Sequence, residues 1–165
     1  PGDDETSPNA GAAYVYGIFF PVSTVQKVLA DDGSSDDALG ASVALDDTRA
    51  LVGAPFDSAV GNSAGSVYVF DLFGDSWAQT DRLNASDAAP FDSFGESLDL
   101  DAGTAIIGAT QELLAPNGVG AAYVIALPEP TTGLAILSGA SLLAALTRRR
   151  QCTRTSSSRV HREDG

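Results

Sequence analysis

The chain has 165 residues, 22 of them acidic and 9 basic, for a formal net charge of −13; a body this acidic repels phosphate backbones and excludes a nucleic-acid partner. The charge is uneven, because residues 1–147 carry 20 acids against only Lys27, Arg49 and Arg82, while six arginines crowd the last 18 residues. The single cysteine, Cys152, excludes an intrachain disulfide and a cysteine zinc site, and the single histidine, His161, stands in the basic tail, so everything before it lacks the usual base for a serine or cysteine nucleophile.

In chain order, a polar opening (residues 1–8) leads into residues 11–20, whose Tyr14, Val15, Tyr16, Ile18, Phe19 and Phe20 read as a strand ended by Pro21. A second short strand is expected over 25–29, then an acidic loop, DDGSSDD, over 31–37. Strands are expected over 41–45 and 50–53 around a four-residue turn at 46–49. A Gly/Ser/Asn-rich loop runs on to Gly65, and strands over 66–70 and 76–83 flank a turn at Gly74 and Asp75. The first three of these recur at 97–100, 105–108 and 121–126, with Gly103 free to take the positive φ its turn wants.

This recurrence organises the chain. Residues 37–70 set against 92–125 give 12 identities in 34 positions without a gap, among them Gly40/Gly95, Ser42/Ser97, Gly53/Gly108, Ala54/Ala109, Gly65/Gly120 and Tyr68/Tyr123. A partial third copy opens the chain, and GAAYV at 11–15 returns verbatim at 120–124. The chain starts at Pro1, holds no Met and opens inside a repeat, which reads as a piece of something longer. A period near 55 filled by four antiparallel strands suits a β-propeller blade. The fold expected is all-β, a partial β-propeller of four-stranded antiparallel blades, with a C-terminal transmembrane helix. Residues 1–36 would be a partial blade, 37–91 a complete one and 92–127 an incomplete last one.

The turn letters agree with that reading. Leu39-Gly40 and Phe94-Gly95, followed by Gly53-Ala54-Pro55 and Gly108-Ala109-Thr110, resemble the FG-GAP repeat of integrin α-subunit propellers and bacterial surface proteins; Leu39 and Thr110 depart from the signature. The resemblance covers about residues 1–126 and implies a propeller used for extracellular adhesion or ligand display. It makes Gly40, Gly53, Ala54, Pro55, Phe94, Gly95, Gly108 and Ala109 structural residues. Such repeats often hold Ca²⁺ in a loop of about nine residues between the first two strands. Here those connections are four residues, too short for a cation that needs six to eight oxygens, so no metal and no cofactor are expected. Asp31, Asp32, Asp36 and Asp37 are an alternative calcium loop, against the plainer reading of a solvated acidic stretch whose counterpart, 87–92, is poorer in acids. Acids are too abundant for any pair to mark a catalytic site, and the chain is expected not to be an enzyme. The sequon Asn84-Ala85-Ser86 is too common a pattern to use.

After Leu127, Pro128-Glu129-Pro130 precedes 17 uncharged residues, 131–147, and then Arg148, Arg149 and Arg150. Seventeen helical residues span roughly 25 Å, the short end of what crosses a hydrocarbon core, and the arginines would stay cytoplasmic, leaving the repeats outside. The arrangement over 128–150 is similar to the PEP-CTERM sorting signal of bacteria, which implies an exosortase-like processing partner. The polar tail 151–165 departs from that pattern and reads as disordered. Together these features point to a bacterial surface or secreted propeller for adhesion or matrix contact, with a surface glycan or protein as ligand. It would be membrane-anchored through 131–147, or secreted after processing. The alternatives are an accessory propeller of a carbohydrate- or phospholipid-processing enzyme, and a purely structural envelope protein.

Overall fold

Strands form where β-branched and aromatic residues run together, and stop where Gly, Asp and Pro gather. The computed structural model describes residues 7–19, 22–110 and 120–129. Among them β1 (Ala13–Phe19) and β2 (Val22–Val28) make an antiparallel pair. A four-stranded antiparallel meander follows, of β3 (Ser42–Asp46), β4 (Arg49–Ala54), β5 (Ser66–Phe73) and β6 (Ser76–Leu83). The last sheet is the three-stranded β7 (Ser97–Asp101), β8 (Thr104–Ala109) and β9 (Ala121–Ala126). The described residues contain no helix, hence none long and apolar enough to cross a membrane. The apolar run 131–147, Pro130, Arg148, Arg149, Arg150 and the tail 151–165 lie outside the described residues.

Two boundaries differ from the sequence reading. β2 begins at Val22 and ends at Val28 because its ladder with β1 runs from Phe19↔Val22 to Ala13↔Val28, drawing the polar Ser23 and Thr24 into the strand. The turn expected over four residues keeps only Asp47 and Thr48 outside the strands, since Asp46 pairs with Arg49. Arg49 is held in β4 by Asp71, its register partner on β5. The equivalent turn in the last sheet puts both Ala102 and Gly103 at positive φ, 45° and 76°, the backbone twist that a two-residue hairpin favours.

The sheets stack face to face. β4 and β5 are buried on both sides, so residues 50–54 and 66–70 read as continuous rather than alternating apolar runs. Ala50, Val52, Tyr68 and Phe70 form the front face of the central sheet and pack with Ala13, Val28, Ala30 and Leu39, with Trp77 against them. Leu51, Val67 and Val69 form its back face and pack with Phe94, Leu100, Ala105 and Ile107. Burial of each such large side chain contributes about 1.5–3 kcal/mol. β3 behaves otherwise. Val43 and Leu45 are exposed, while their equivalents 55 residues on, Leu98 and Leu100, are covered. β7 lies against β3 and β4, whereas β1 and β2 correspond to β5 and β6 only, so no inner strands of the first sheet cover β3 among the described residues.

Between sheets the chain is sewn by main-chain hydrogen bonds. Asp36, Ala38 and Leu39 donate N–H to the carbonyls of Pro8, Asn9 and Ala10; Phe91, Ser93 and Phe94 donate to Asn62, Ser63 and Ala64. Backbones this close leave no room for a Cβ. A methyl on Gly53 would fall on the carbonyl oxygen of Gly95, although Gly53 has an ordinary φ, whereas Gly74, at φ +63°, has nothing within 4 Å. Gly53→Ala is therefore expected to cost about 3 kcal/mol by overpacking, and Gly74→Ala about 1 kcal/mol by backbone strain. Urea midpoints measure both, and the reverse order would show that crowding is not what Gly53 relieves.

Candidate functional site

The signature residues converge on the joint between sheets. Gly40 N–H donates to the Gly53 carbonyl at 2.9 Å and Gly95 N–H to the Gly108 carbonyl at 3.0 Å, tying the first signature turn of each repeat to the second. The Ser42 hydroxyl then reaches across to the Gly95 carbonyl of the next repeat. Phe94 is fully buried and meets Tyr123 edge-on, ring centroids 5.3 Å apart at 71°. Leu39, the departure from the signature at the equivalent place, fills the same role in the other core. Ala54, Pro55 and Ala109 are buried beside them. Backbone and apolar groups of this kind position a site without offering chemistry of their own.

The residues next to the signature line an open groove of about 700 Å³ between the second and third repeats. Its walls are Ala41, Pro55, Phe56, Ser63, Phe91, Ser93, Glu96 and Thr110. Ala41 and Glu96 are equivalent positions, as are Pro55 and Thr110, so two copies of one turn form opposite walls. Phe56 presents an exposed ring, Phe91 a half-buried one held at φ 70°, and the Thr110 hydroxyl donates to Glu96. Among the described residues of the lining, rings for stacking and three hydroxyls beside one carboxylate suit a neutral hydroxyl-rich ligand better than an anionic one.

Polar networks lock the joint from behind. The Tyr68 hydroxyl lies 2.7 Å from Asp57 Oδ2 and 2.9 Å from Asp32 Oδ1, and Arg82 Nη1 donates to Asp32 Oδ2 at 2.5 Å. Burial, then these two carboxylates, push the Tyr68 phenol far above its ordinary value. One repeat later the Tyr123 hydroxyl donates to Asp87 Oδ1 at 2.7 Å, which with partial burial pushes its pKa up to about 12. The acidic stretch 31–37 is thus no uniformly solvated loop, as the plainer reading had it. Asp32 serves Tyr68 and Arg82, and Asp37 is buried, accepts the Ser34 N–H at 2.6 Å, and has its pKa raised by that burial. Among the described residues no group of three or more His, Cys, Asp or Glu is arranged to hold a metal ion.

At the far end of β4, Arg49 Nε and Nη2 donate to both oxygens of the buried Asp71, at 2.7 and 3.1 Å, and the Thr80 hydroxyl donates to the same carboxylate. Arg49 Nη1 donates to the Pro128 carbonyl at 2.6 Å, in a cleft of about 210 Å³ that Glu129 helps to line. Sequence reasoning placed Arg49 in a turn and missed this pair. The available signal was scarcity, since a body with 20 acids and three cations places those cations at fixed partners. Losing one partner of a buried pair strands the other charge at a cost of about 3–5 kcal/mol.

Stacked antiparallel sheets joined at glycine turns, with a loop-lined groove between repeats, define a modular all-β repeat protein. The FG-GAP repeat model matches residues 22–70 and 77–125, more than half of the chain, and the chain belongs to the FG-GAP repeat family. No curated protein matches it.

The tyrosines make alkaline stability a test of the joint. Both phenols keep their protons in the fold at pH values where an unfolded tyrosine, with pKa near 10, has lost its own. Stability is therefore complete below about pH 10 and falls as the pH rises through the folded values. Tyr68→Phe, which keeps the ring in the core, is expected to lose about 1–2 kcal/mol at pH 7 and to fall less steeply above pH 10. Urea unfolding of both proteins at pH 7, 9 and 10.5 measures it, and parallel curves would remove Tyr68 from the account.

Proposed function

We propose that this protein is a non-enzymatic β-propeller of the bacterial cell surface or its secretions, which binds a neutral surface or matrix glycan in the groove between FG-GAP repeats. The groove carries the reading. Repeat positions that build the joint are identical between copies, as in Gly40/Gly95, Gly53/Gly108 and Ala54/Ala109. The wall positions differ, as in Ala41/Glu96 and Pro55/Thr110. A scaffold held constant beneath a varied lining is the arrangement of a recognition surface on rigid elements. FG-GAP repeats are typical of extracellular and surface proteins, and the acidic body agrees with that setting.

The export route completes the proposal. Pro128, Glu129 and Pro130, the apolar run 131–147 and Arg148, Arg149 and Arg150 would form a PEP-CTERM signal read by an exosortase-like enzyme. The signal would follow directly on β9, whose end Arg49 pins through the Pro128 carbonyl.

Binding is tested with Phe56→Ala on a panel of neutral and acidic polysaccharides. Because Phe56 is exposed, the substitution is expected to change stability by less than about 0.5 kcal/mol while lowering affinity for the neutral glycan at least about tenfold, the value of one lost stacking contact. Equal binding by both proteins, or binding by neither, would reject the groove. For sorting, Glu129→Ala is expected to retain the protein in the membrane fraction, and unchanged release into the medium would reject the signal.

A further inference from the structure

The two walls of the groove are the same turn, yet they offer opposite chemistry. The wall from the central repeat carries Ala41, Pro55 and the exposed ring of Phe56, while the wall from the last repeat carries Glu96 and Thr110 at the places of Ala41 and Pro55. The Thr110 hydroxyl donates to Glu96 Oε2, and both residues are exposed. The joint does not require this bond. In the central repeat, where Ala41 and Pro55 hold those places, the signature turns close just as well: Gly40 N–H reaches the Gly53 carbonyl at 2.9 Å, against 3.0 Å for Gly95 and Gly108. A polar pair that adds nothing to the closure and faces an apolar wall is available to a ligand.

The hydrogen-bonding sense of that pair is one-sided. A carboxylate only accepts, and the Thr110 proton is already given to Glu96, so Thr110 too has only lone pairs left to offer. A ligand has to donate to this wall, and the two oxygens of one carboxylate take two donors side by side. Ethers, esters and carbonyls have no proton to give. Hydroxyls on adjacent ring carbons present two donors together, and the C–H face of the same ring suits the apolar wall opposite. Resting on the reading of the groove as a glycan site, we infer that Glu96, held by Thr110, selects sugars with two adjacent unsubstituted ring hydroxyls, the ring lying on Phe56. The ligand class is then a neutral polysaccharide whose chain residues keep such a pair, as 1→4- and 1→6-linked hexoses do. A 1→3-linked chain lacks it, because the linkage stands between the two nearest hydroxyls. Phe56 supplies stacking and Glu96 supplies specificity.

The full chain in a non-denaturing detergent, passed over immobilised galactomannan (1→4-linked backbone), dextran (1→6-linked) and a linear 1→3-glucan, tests the assignment. The wild-type chain is expected to bind galactomannan or dextran at least about tenfold more tightly than the 1→3-glucan, the value of hydrogen bonds to a charged acceptor. Glu96→Gln, which keeps one accepting oxygen, is expected to lose most of that preference, and Thr110→Val about threefold in affinity. Both positions are exposed, so circular dichroism of the variants should match the wild type. Periodate oxidation followed by borohydride reduction splits the carbon–carbon bond between adjacent hydroxyls and is expected to abolish binding of galactomannan and dextran. Equal affinity for the 1→3-glucan, binding that survives periodate, or a Glu96→Gln chain with wild-type preference overturns the inference; if Phe56→Ala still weakens that binding, the groove stands as a glycan site with another specificity. Tighter capture of polylysine than of any polysaccharide, lost as salt rises, also overturns it and makes Glu96 the partner of a cation. Binding to none of the polysaccharides overturns both the inference and the reading on which it rests.

Discussion

The approach of one repeat's backbone to the next is the constraint on which the rest of the structure depends. Main-chain N–H groups of one signature turn donate to the carbonyls of the preceding loop, so the sheets meet main chain to main chain along one edge of the interface. A bond of that kind tolerates no intervening side chain: a methyl on Gly11 or Gly65 would fall on the backbone of Leu39 or Phe94, and one on Gly53 on the Gly95 carbonyl and the Ser42 hydroxyl. The cost is backbone strain. Asp36 and Phe91 sit at φ 69° and 70°, and Ala38 and Ser93 at 57° and 55°, a conformation non-glycine residues avoid. The same strain at equivalent places in two copies is a property of the joint and not of either residue, and the buried hydrogen bonds offset it.

With the edge fixed, side chains fill what remains. The two cores are built alike, yet their members change partners: Phe70 becomes Ile125 and Leu39 becomes Phe94 at equivalent places. A volume lost at one wall is taken up at another. The polar groups have less freedom. The buried Tyr68 hydroxyl is shared between the buried Asp57 and the exposed Asp32, and Arg82 answers the charge of Asp32 in turn. In an acidic body where like charges dominate, placing Arg49 and Arg82 beside carboxylates at sheet boundaries relieves repulsion where the chain is most tightly packed.

The family repeat and the sheet are out of phase. Each matched stretch, 22–70 and 77–125, begins with the last strand of one sheet and ends with the third strand of the next. A sequence repeat of that phase spans a joint instead of forming a free-standing sheet, so each repeat carries its own glue. The groove follows from this geometry, because its two walls are the same turn taken from successive copies. What differs between the copies, Glu96 for Ala41 and Thr110 for Pro55, gives the groove its polarity.

Much of the architecture was legible in the residues. The identities 55 positions apart, the two-residue periodicity of the edge strands and the turn glycines mark out sheets and order, because strands and tight turns answer to local sterics. The signature glycines stood out as structural residues for the same reason. The two-residue turn at Asp47 and Thr48 was not legible, because it depends on Arg49 entering β4 to meet Asp71, a partner 22 residues away. Nor was the burial of Asp37, the service of Asp32 to Tyr68, or the groove with its Phe56 and Phe91 walls, since each draws residues from different repeats. Sequence by itself determined the repeat, its strands and its sterically demanding turns. Tertiary structure decided which carboxylates are partners and which are solvated, and which apolar faces are core and which are bare, because burial and charge pairing are set by what lies across an interface and not by neighbours along the chain.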